Sequence, residues 1–371
     1  MQTSSDFQRF APFLAFKLQK SKFNFHFNGG TQFLTQKNQG DYLNNAYFVE
    51  QEYILPEINM NMNFKLGNGG NLYFNYNYDV NLASAQQILP IENLSNPLNT
   101  IVGNPDLNPN IIHSVYLGLY KHNMQTRSGY SIYAGGQYNA RSIANYRIID
   151  ENFASFTTYR NVNDTYYSWA GFNFNKSFTK DSHKFRFSAG LNANYSLNKG
   201  FIDGYLYEAR NYSLGPRVNF NWDFGTYLTI NPSYNLRYQM TDYDNYTLEE
   251  SSNFVHNFKL ATTNYWPKNF VFGNDFSYTY NSEIAEGFKK DFFLWNSSLA
   301  YNFFQDKLTF KVKVYDILNQ NTGDRRTISE VAITDVQNDV LKRYVMFSLG
   351  FKLDKFGGGG NRRGGGSFMF N

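Results

Sequence analysis

Five histidines, His26, His113, His122, His183 and His256, are the first residues to weigh as metal ligands or proton carriers. None stands three or four positions from another, so the paired spacing that holds a catalytic zinc is missing. There is no cysteine, which excludes thiolate metal sites and disulfides. No Gly-x-Ser-x-Gly elbow is present. Gly67-Asn68-Gly69-Gly70 does not have the phosphate-cradling pattern and reads as a hairpin turn. Asp242, Asp244, Glu249 and Glu250 offer oxygen ligands without the calcium-loop glycine and spacing, and read as a solvated acidic loop. The sequence therefore reads as a non-enzyme with no metal and no cofactor.

Two groups could instead bind. Arg141, Lys184, Arg186, Arg217, Arg237, Lys311 and Lys313 all fall on the polar phase of alternating segments, several on consecutive ones. They would form a basic wall, meeting an acidic protein surface, water or an anionic ligand. Tyr146, Tyr159, Tyr243 and Tyr246 fall in connecting segments and could line an outer vestibule. Sugars or peptides suit such rings, and so does plain loop packing.

The elements that carry these residues are strands. Phe185, Phe187, Ala189, Leu191, Ala193, Tyr195 and Leu197 alternate with Lys184, Arg186, Ser188, Gly190, Asn192, Asn194, Ser196 and Asn198. Side chains in a strand point to opposite faces in turn, so each strand has a greasy face and a polar one. The pattern repeats about fifteen times, over roughly 8–19, 22–35, 52–65, 71–84, 111–122, 127–141, 159–177, 183–199, 205–224, 226–240, 252–265, 268–281, 290–303, 307–316 and 342–353. Short connections, such as His122 to Gln125 and Gly225-Thr226, take turns with long ones at 36–51, 85–110, 142–158, 241–251, 282–289 and 317–341.

Composition narrows the class. The 371 residues include 37 Phe, 30 Tyr and 4 Trp, with 17% charged residues, which excludes a disordered chain. Mean hydropathy is −0.53, and no stretch approaches the ~20 apolar residues of a spanning helix. A net charge of +4 does not argue for nucleic acid. The strands are longer than the usual soluble ~5–6 residues. About fifteen of them enclose an interior too wide for side chains to fill. A wide barrel with one polar face wants that face toward a wet lumen and the other toward lipid. Trp222, Phe224, Tyr227, Tyr265 and Trp266 sit near strand ends, where an interfacial aromatic girdle belongs. The expected fold is all-β: a transmembrane antiparallel up-and-down β-barrel with short periplasmic turns and long extracellular loops.

Bacterial single-chain barrels have even strand numbers. An odd count, with no secretory signal at the start, leads to the expectation of a C-terminal portion of a larger barrel. The expected division is barrel over 1–353 and a disordered Gly/Arg-rich periplasmic tail over 354–371.

Three local features resemble one family. Gly103-Asn104-Pro105-Asp106-Leu107-Asn108-Pro109, before the strand at Ser114, is similar to the segment that enters a barrel strand in TonB-dependent outer-membrane receptors of Bacteroidetes type. That segment usually continues with Glu, where this chain has Asn110. Asp316-Ile317-Leu318-Asn319 resembles the end of their penultimate strand, and Arg343 to Leu353 their terminal strand. The resemblance implies a barrel of about 22 strands, outer-membrane lipid around it and assembly machinery that reads the last strand. It implies a plug domain and TonB as partners, neither visible in this sequence. The implied task is TonB-energised uptake of a large nutrient: a metal chelate, oligosaccharide or peptide. A passive porin-like channel and a surface adhesion barrel are the rival readings.

Overall fold

The computed structural model describes residues 2–352, apart from 68, 94–95, 97, 150, 152–153, 247–249, 284–288, 306, 322–324, 329–332, 337 and 339–340. The tail expected over 354–371, and Glu249 of the acidic loop, lie outside the described residues.

The chain opens with β1 (Gln2–Phe10), β2 (Phe13–Gln19), β3 (Phe23–Tyr42), β4 (Asn45–Leu66) and β5 (Gly70–Asn81). A segment with the one-turn helix α1 (Ala85–Ile88) and the short strands β6 (Glu92–Asn93) and β7 (Asn99–Val102) follows. Next come β8 (Asn110–Asn123), β9 (Ser128–Ile149), β10 (Ser155–Val162), β11 (Thr165–Lys180), β12 (His183–Ile202) and β13 (Tyr205–Phe224). Then come β14 (Leu228–Asp244), β15 (Glu250–Asn264), β16 (Phe270–Asn281), β17 (Asp291–Phe303) and β18 (Leu308–Tyr315). A small hairpin, β19 (Arg325–Ile328) with β20 (Ile333–Val336), precedes β21 (Tyr344–Phe351).

Each long strand pairs antiparallel with the next, from β3–β4 through β18–β21. β1 and β2 both pair with β3, and β10 and β11 both pair with β9, so each couple counts as one crossing. Fifteen crossings result, as the alternation predicts. Pro12, which has no N–H to give a ladder, separates β1 from β2. Among the described residues β21 pairs with β18 alone, and neither β1 nor β2 pairs with it. The sheet is an open arc.

Several connections expected to be long are short. Over 36–51 the strands β3 and β4 continue to a two-residue turn, Leu43-Asn44, with φ of 48° and 63°. Two positive φ values are what a tight hairpin needs. β9 likewise runs through to Ile149 and pairs with β10 across the expected loop at 142–158. β14 reaches Asp244. In these upper stretches polar residues occupy both faces, so the alternation fades although the backbone stays extended.

The apolar face forms a belt of one membrane thickness. On β12 and β13 it runs from the Phe185–Trp222 level to the Tyr195–Tyr212 level. About ten steps of ~3.3 Å give ~33 Å along the strand, or ~25 Å of height at a tilt of ~40°, which matches an outer-membrane apolar band. Aromatic rows bound it. At the long-loop side the rings of Tyr78, His113, Tyr138 and Tyr166 follow one another at 5.1, 5.7 and 5.2 Å. At the turn side Phe178 stacks on Phe185 at 4.8 Å, and His183 on Phe224 at 4.7 Å. Above the belt, still on the outward face, Arg210 bonds Asp244 at 2.7 Å, Glu208 at 3.0 Å and Asp242 at 3.3 Å, while Lys199 meets Glu208 at 3.0 Å. The hydrogen bonds to Asp244 and then Asp242 raise the Arg210 pKa above its ordinary value. This ionic layer begins where the greasy phase stops.

Candidate functional site

The polar face is the crowded side. Leu191 on the apolar face is 40% exposed, while the smaller Asn192 beside it is half-buried. Side chains converge on a concave face and splay on a convex one, so the polar face lines the interior of the arc.

Register places six of the seven expected basic residues on one stretch of this wall. Lys184 and Arg186 stand on β12, Arg217 on β13, Arg237 on β14, and Lys311 and Lys313 on β18. Lys184 and Lys313 belong to a single cross-strand row, through Asp223, Thr229, Thr263, Gly273 and Ser298. Lys259 on β15 joins them. It has the same phase in the alternation and could have been read from it. Two carboxylates, Asp223 and Asp275, face the same way. Asp223 is taken by Arg186 at 2.7 Å. Arg217 donates to the neutral Asn173 Oδ1 at 2.5 Å, and the Lys313 ammonium lies 4.2 Å from the Tyr315 ring centre. Lys184, Arg237, Lys259 and Lys311 have no carboxylate partner among the described residues. A recess of ≈ 690 Å³ lies against Arg186, His122, Asn219 and Asn221. Arg141 stands apart, at the long-loop end of β9 past the bulge between Ile111 and Ile112.

On the other flank the wall is built of amides. Asn61 donates to Asn59 at 2.6 Å and Asn77 to Asn75 at 2.9 Å. Shorter bonds from Asn59 to Asn77 and from Asn75 to Asn61 link the two strands. Each amide is both donor and acceptor, so the ladder holds a fixed hydrogen-bonding pattern toward the lumen.

The four expected vestibule aromatics divide. Tyr243, 6% exposed, stacks on Tyr246 at 5.0 Å on the inner side of β14, and Tyr207 adds a third ring at 5.3 Å from Tyr246. Tyr159 faces inward as part of the loop core described next. Tyr146 points the opposite way, with Arg160 3.7 Å above its ring and Phe201 at 5.2 Å.

The main hydrophobic core among the described residues lies in 82–93 and 98–109, folded inward over the mouth. Ile88 (0%), Leu89 (1%), Ile91 (2%) and Leu107 (2%) are buried in it, against Val49, Ile143 and Tyr159 of the wall. The Gly103-to-Pro109 segment is the staple. Asn104 Nδ2 donates to the Tyr159 carbonyl at 2.8 Å, and its own Oδ1 accepts from the Asp106 N–H at 2.9 Å. Gln51 donates to the carbonyls of Pro105 and Leu107, at 2.9 and 3.0 Å. Asn108 and Asn161 exchange two bonds of 2.9 Å. The Tyr53 hydroxyl reaches the Leu107 carbonyl at 3.3 Å. Burial raises its pKa and Arg141 opposes the shift, so it remains a donor. Gly103 is required by contact: a Cβ there would lie 2.1 Å from the Leu89 carbonyl oxygen. Gly103→Ala should therefore cost about 1–3 kcal/mol and speed amide hydrogen exchange at Ile88 and Leu89, while exchange in β12 stays unchanged.

The second sequence motif is a strand terminator. Asp316 (φ 48°) is 2% exposed, and its carboxylate accepts the N–H groups of Gln320 and Asn321, both at 3.0 Å. Asn319 (φ 55°) accepts the Arg343 N–H at 3.4 Å, which ties the loop to the start of β21.

Both motifs thus fix loops at the mouth of a lipid-belted arc, and the family comparison agrees with that geometry. The model of the outer membrane protein beta-barrel family matches residues 8–208 and 208–351. This chain belongs to that family. Membership places it in the outer membrane. Among solved structures, the closed form of the ferric-catecholate import receptor Fiu from K12 E. coli aligns at TM-score 0.41 and 10% identity, over 95% of this chain and 62% of the receptor. Its open form aligns at TM-score 0.40 and 9% identity, over 94% and 64%. The chain spans less than two thirds of the length of those receptors. No curated protein matches the sequence.

Proposed function

We propose that the chain is the barrel portion of an outer-membrane importer, energised through TonB, for a nutrient too large for a porin. The observation that carries this reading is the two-sided arc: a lipid belt outside and a continuous hydrophilic wall inside, over fifteen crossings. The TonB step and the plug domain it acts on come from the family resemblance. Outer-membrane assembly machinery would engage β21. The reading assigns no catalysis, metal or cofactor to the barrel. The cargo would be a metal chelate, oligosaccharide or peptide.

The test is uptake by cells that carry the complete protein. Uptake should collapse when a protonophore removes the gradient that drives TonB. Uptake that persists and follows the concentration difference would make the protein a passive channel. A surface-binding phenotype with no uptake would make it an adhesion barrel.

The reading also sets a topology. Protease added to whole cells should cut within 317–341 and spare the turn at Gly67 to Gly70. The sequence alone exposes 85–110 to the same cleavage. The folded core around Leu107 argues that this segment survives. Cleavage at Gly67–Gly70 in intact cells would invert the topology.

A further inference from the structure

Lumen-facing rings at mid-height are concentrated on β5, β8, β9 and β11. By register Tyr73, Tyr116, Tyr120, Tyr133, Tyr167 and Trp169 share the polar face. Rings turned toward water are costly, and a contiguous group rimmed by polar residues marks a contact surface rather than a wetted lining.

Glycine alternates with these rings across the strands. One cross-strand row reads Tyr116, Gly135, Trp169, and the next reads Gly118, Tyr133, Gly171. A Cβ at Gly171 would lie 2.3 Å from Cζ of Tyr133, and one at Gly135 would lie 2.6 Å from Cζ2 of Trp169. The rings therefore lie along the wall in gaps left by absent side chains, one face on backbone and the other toward the lumen. The Tyr133 hydroxyl donates to Asn192 Oδ1 at 2.9 Å, which pins that ring at its far end. Tyr73, Tyr120 and Tyr167 remain 39%, 37% and 44% exposed.

This stripe is nearly free of formal charge: on its β5 flank only Asp79, at the level of Ile112, shares the face. On the polar face of β8 from Ile112 to His122, of β9 from Gly129 to Asn139, and of β11 from Thr165 to Thr179, there is no Lys, Arg, Asp or Glu. The cations begin at β12, and Arg217 of β13 reaches the near edge of the stripe at Asn173 Oδ1. A charged cargo, or a charged protein segment, would find few complements here. Preset ring faces beside oriented amides and hydroxyls suit one chemistry: C–H groups of a sugar ring lie on the π face while its hydroxyls pair with side-chain amides.

We infer that this stripe is a binding track for a neutral oligosaccharide. The inference rests on the import reading for the cargo's fate, and on the wall alone for its binding.

Trp169 provides the signal. Trp222 and Trp295 belong to the apolar face and Trp266 to a turn, so the difference in emission between wild type and Trp169→Phe isolates the one lumen-facing indole. The complete protein in detergent is titrated with neutral hexasaccharides of α-1,4-glucan, β-1,4-glucan, β-1,4-mannan and β-1,4-xylan. Hexagalacturonate and an uncharged hexapeptide serve as comparators. At least one neutral sugar should quench the Trp169 emission, and by calorimetry Trp169→Ala should weaken its binding about tenfold. Trp169→Phe should silence the signal while binding persists. Heat-modifiable gel mobility confirms that each variant is folded. Binding by hexagalacturonate or the peptide in preference to every neutral sugar, or by none of the panel, overturns the track. Sugar binding without energised uptake would overturn the import reading alone. Energised uptake that Trp169→Ala and Asn192→Ala leave unchanged would overturn the track alone.

Discussion

Leu191→Arg should destabilise the barrel in a bilayer by about 2–4 kcal/mol, and Asn192→Arg by far less. Leu191 stands near the middle of the belt on β12, 40% exposed, with Phe172 and Pro216 beside it on the neighbouring strands. Phe172 is itself 39% exposed, so these side chains remain open to the surroundings. In lipid that exposure is favourable, and a guanidinium at mid-depth is not. Asn192 faces the lumen and already accepts from Tyr133. A cation there meets water and amides. Reversible unfolding from liposomes measures both values. Equal costs would reverse or erase the assignment of faces.

Residues 1–371 expressed alone should not give a closed monomeric barrel. Among the described residues β1 with β2 at one end, and β21 at the other, each present a free edge. With fifteen alternating crossings the two edges run in the same direction, so joining them requires a parallel pair. The 19-stranded mitochondrial channel has an odd strand count, but bacterial single-chain barrels do not. Unpaired N–H and C=O groups in hydrocarbon cost several kcal/mol each. The edges are also greasy: Leu14 is 83% exposed, and Phe347 and Leu349 are 68% and 71% exposed. Such edges pair with other copies. Gel mobility and light scattering after refolding should show aggregates without a heat-modifiable band. A monodisperse, protease-resistant monomer would show that the arc closes on itself.

Much of this architecture is legible in the residues. Alternation such as Phe185 to Leu197 counts the crossings because one face of each strand is lipid-like within the belt. Trp222, Tyr227, Tyr265 and Trp266 mark the turn-side rim because rings with polar handles prefer an interface, and Phe224 lies among them. Above the belt that signal disappears. β3 and β4 extend to Leu43-Asn44, yet Gln36, Lys37, Asn38 and Gln39 show no greasy phase to follow. The loop 82–109 was legible as a motif but not as a core. Ile88 and Leu107 lie far apart in sequence and meet in one cluster over the wall, while Leu89 packs with Ala85 and Ile91 in a second. The phase of the basic residues predicts their common face, and Lys259 has the same phase. Tyr146 lies in a stretch that reads as loop and continues as strand, which sends its ring outward. The glycine-backed rings of β8, β9 and β11 are visible only once register sets Gly135 beside Trp169 and Gly171 beside Tyr133.

The absence of cysteine allows a direct test of the central claim, a lipid-facing belt around a wet lumen. Single cysteines placed at each position from Phe185 to Phe201 of the complete protein, with any cysteine outside these 371 residues replaced, are treated in reconstituted liposomes with a membrane-impermeant maleimide. The account predicts labelling at Arg186, Ser188, Asn192, Asn194 and Ser196, protection at Phe187, Leu191 and Ala193, and renewed labelling on the outward phase from Lys199 onward. Uniform labelling of both phases between Phe187 and Ala193, or protection of the polar phase, would contradict it.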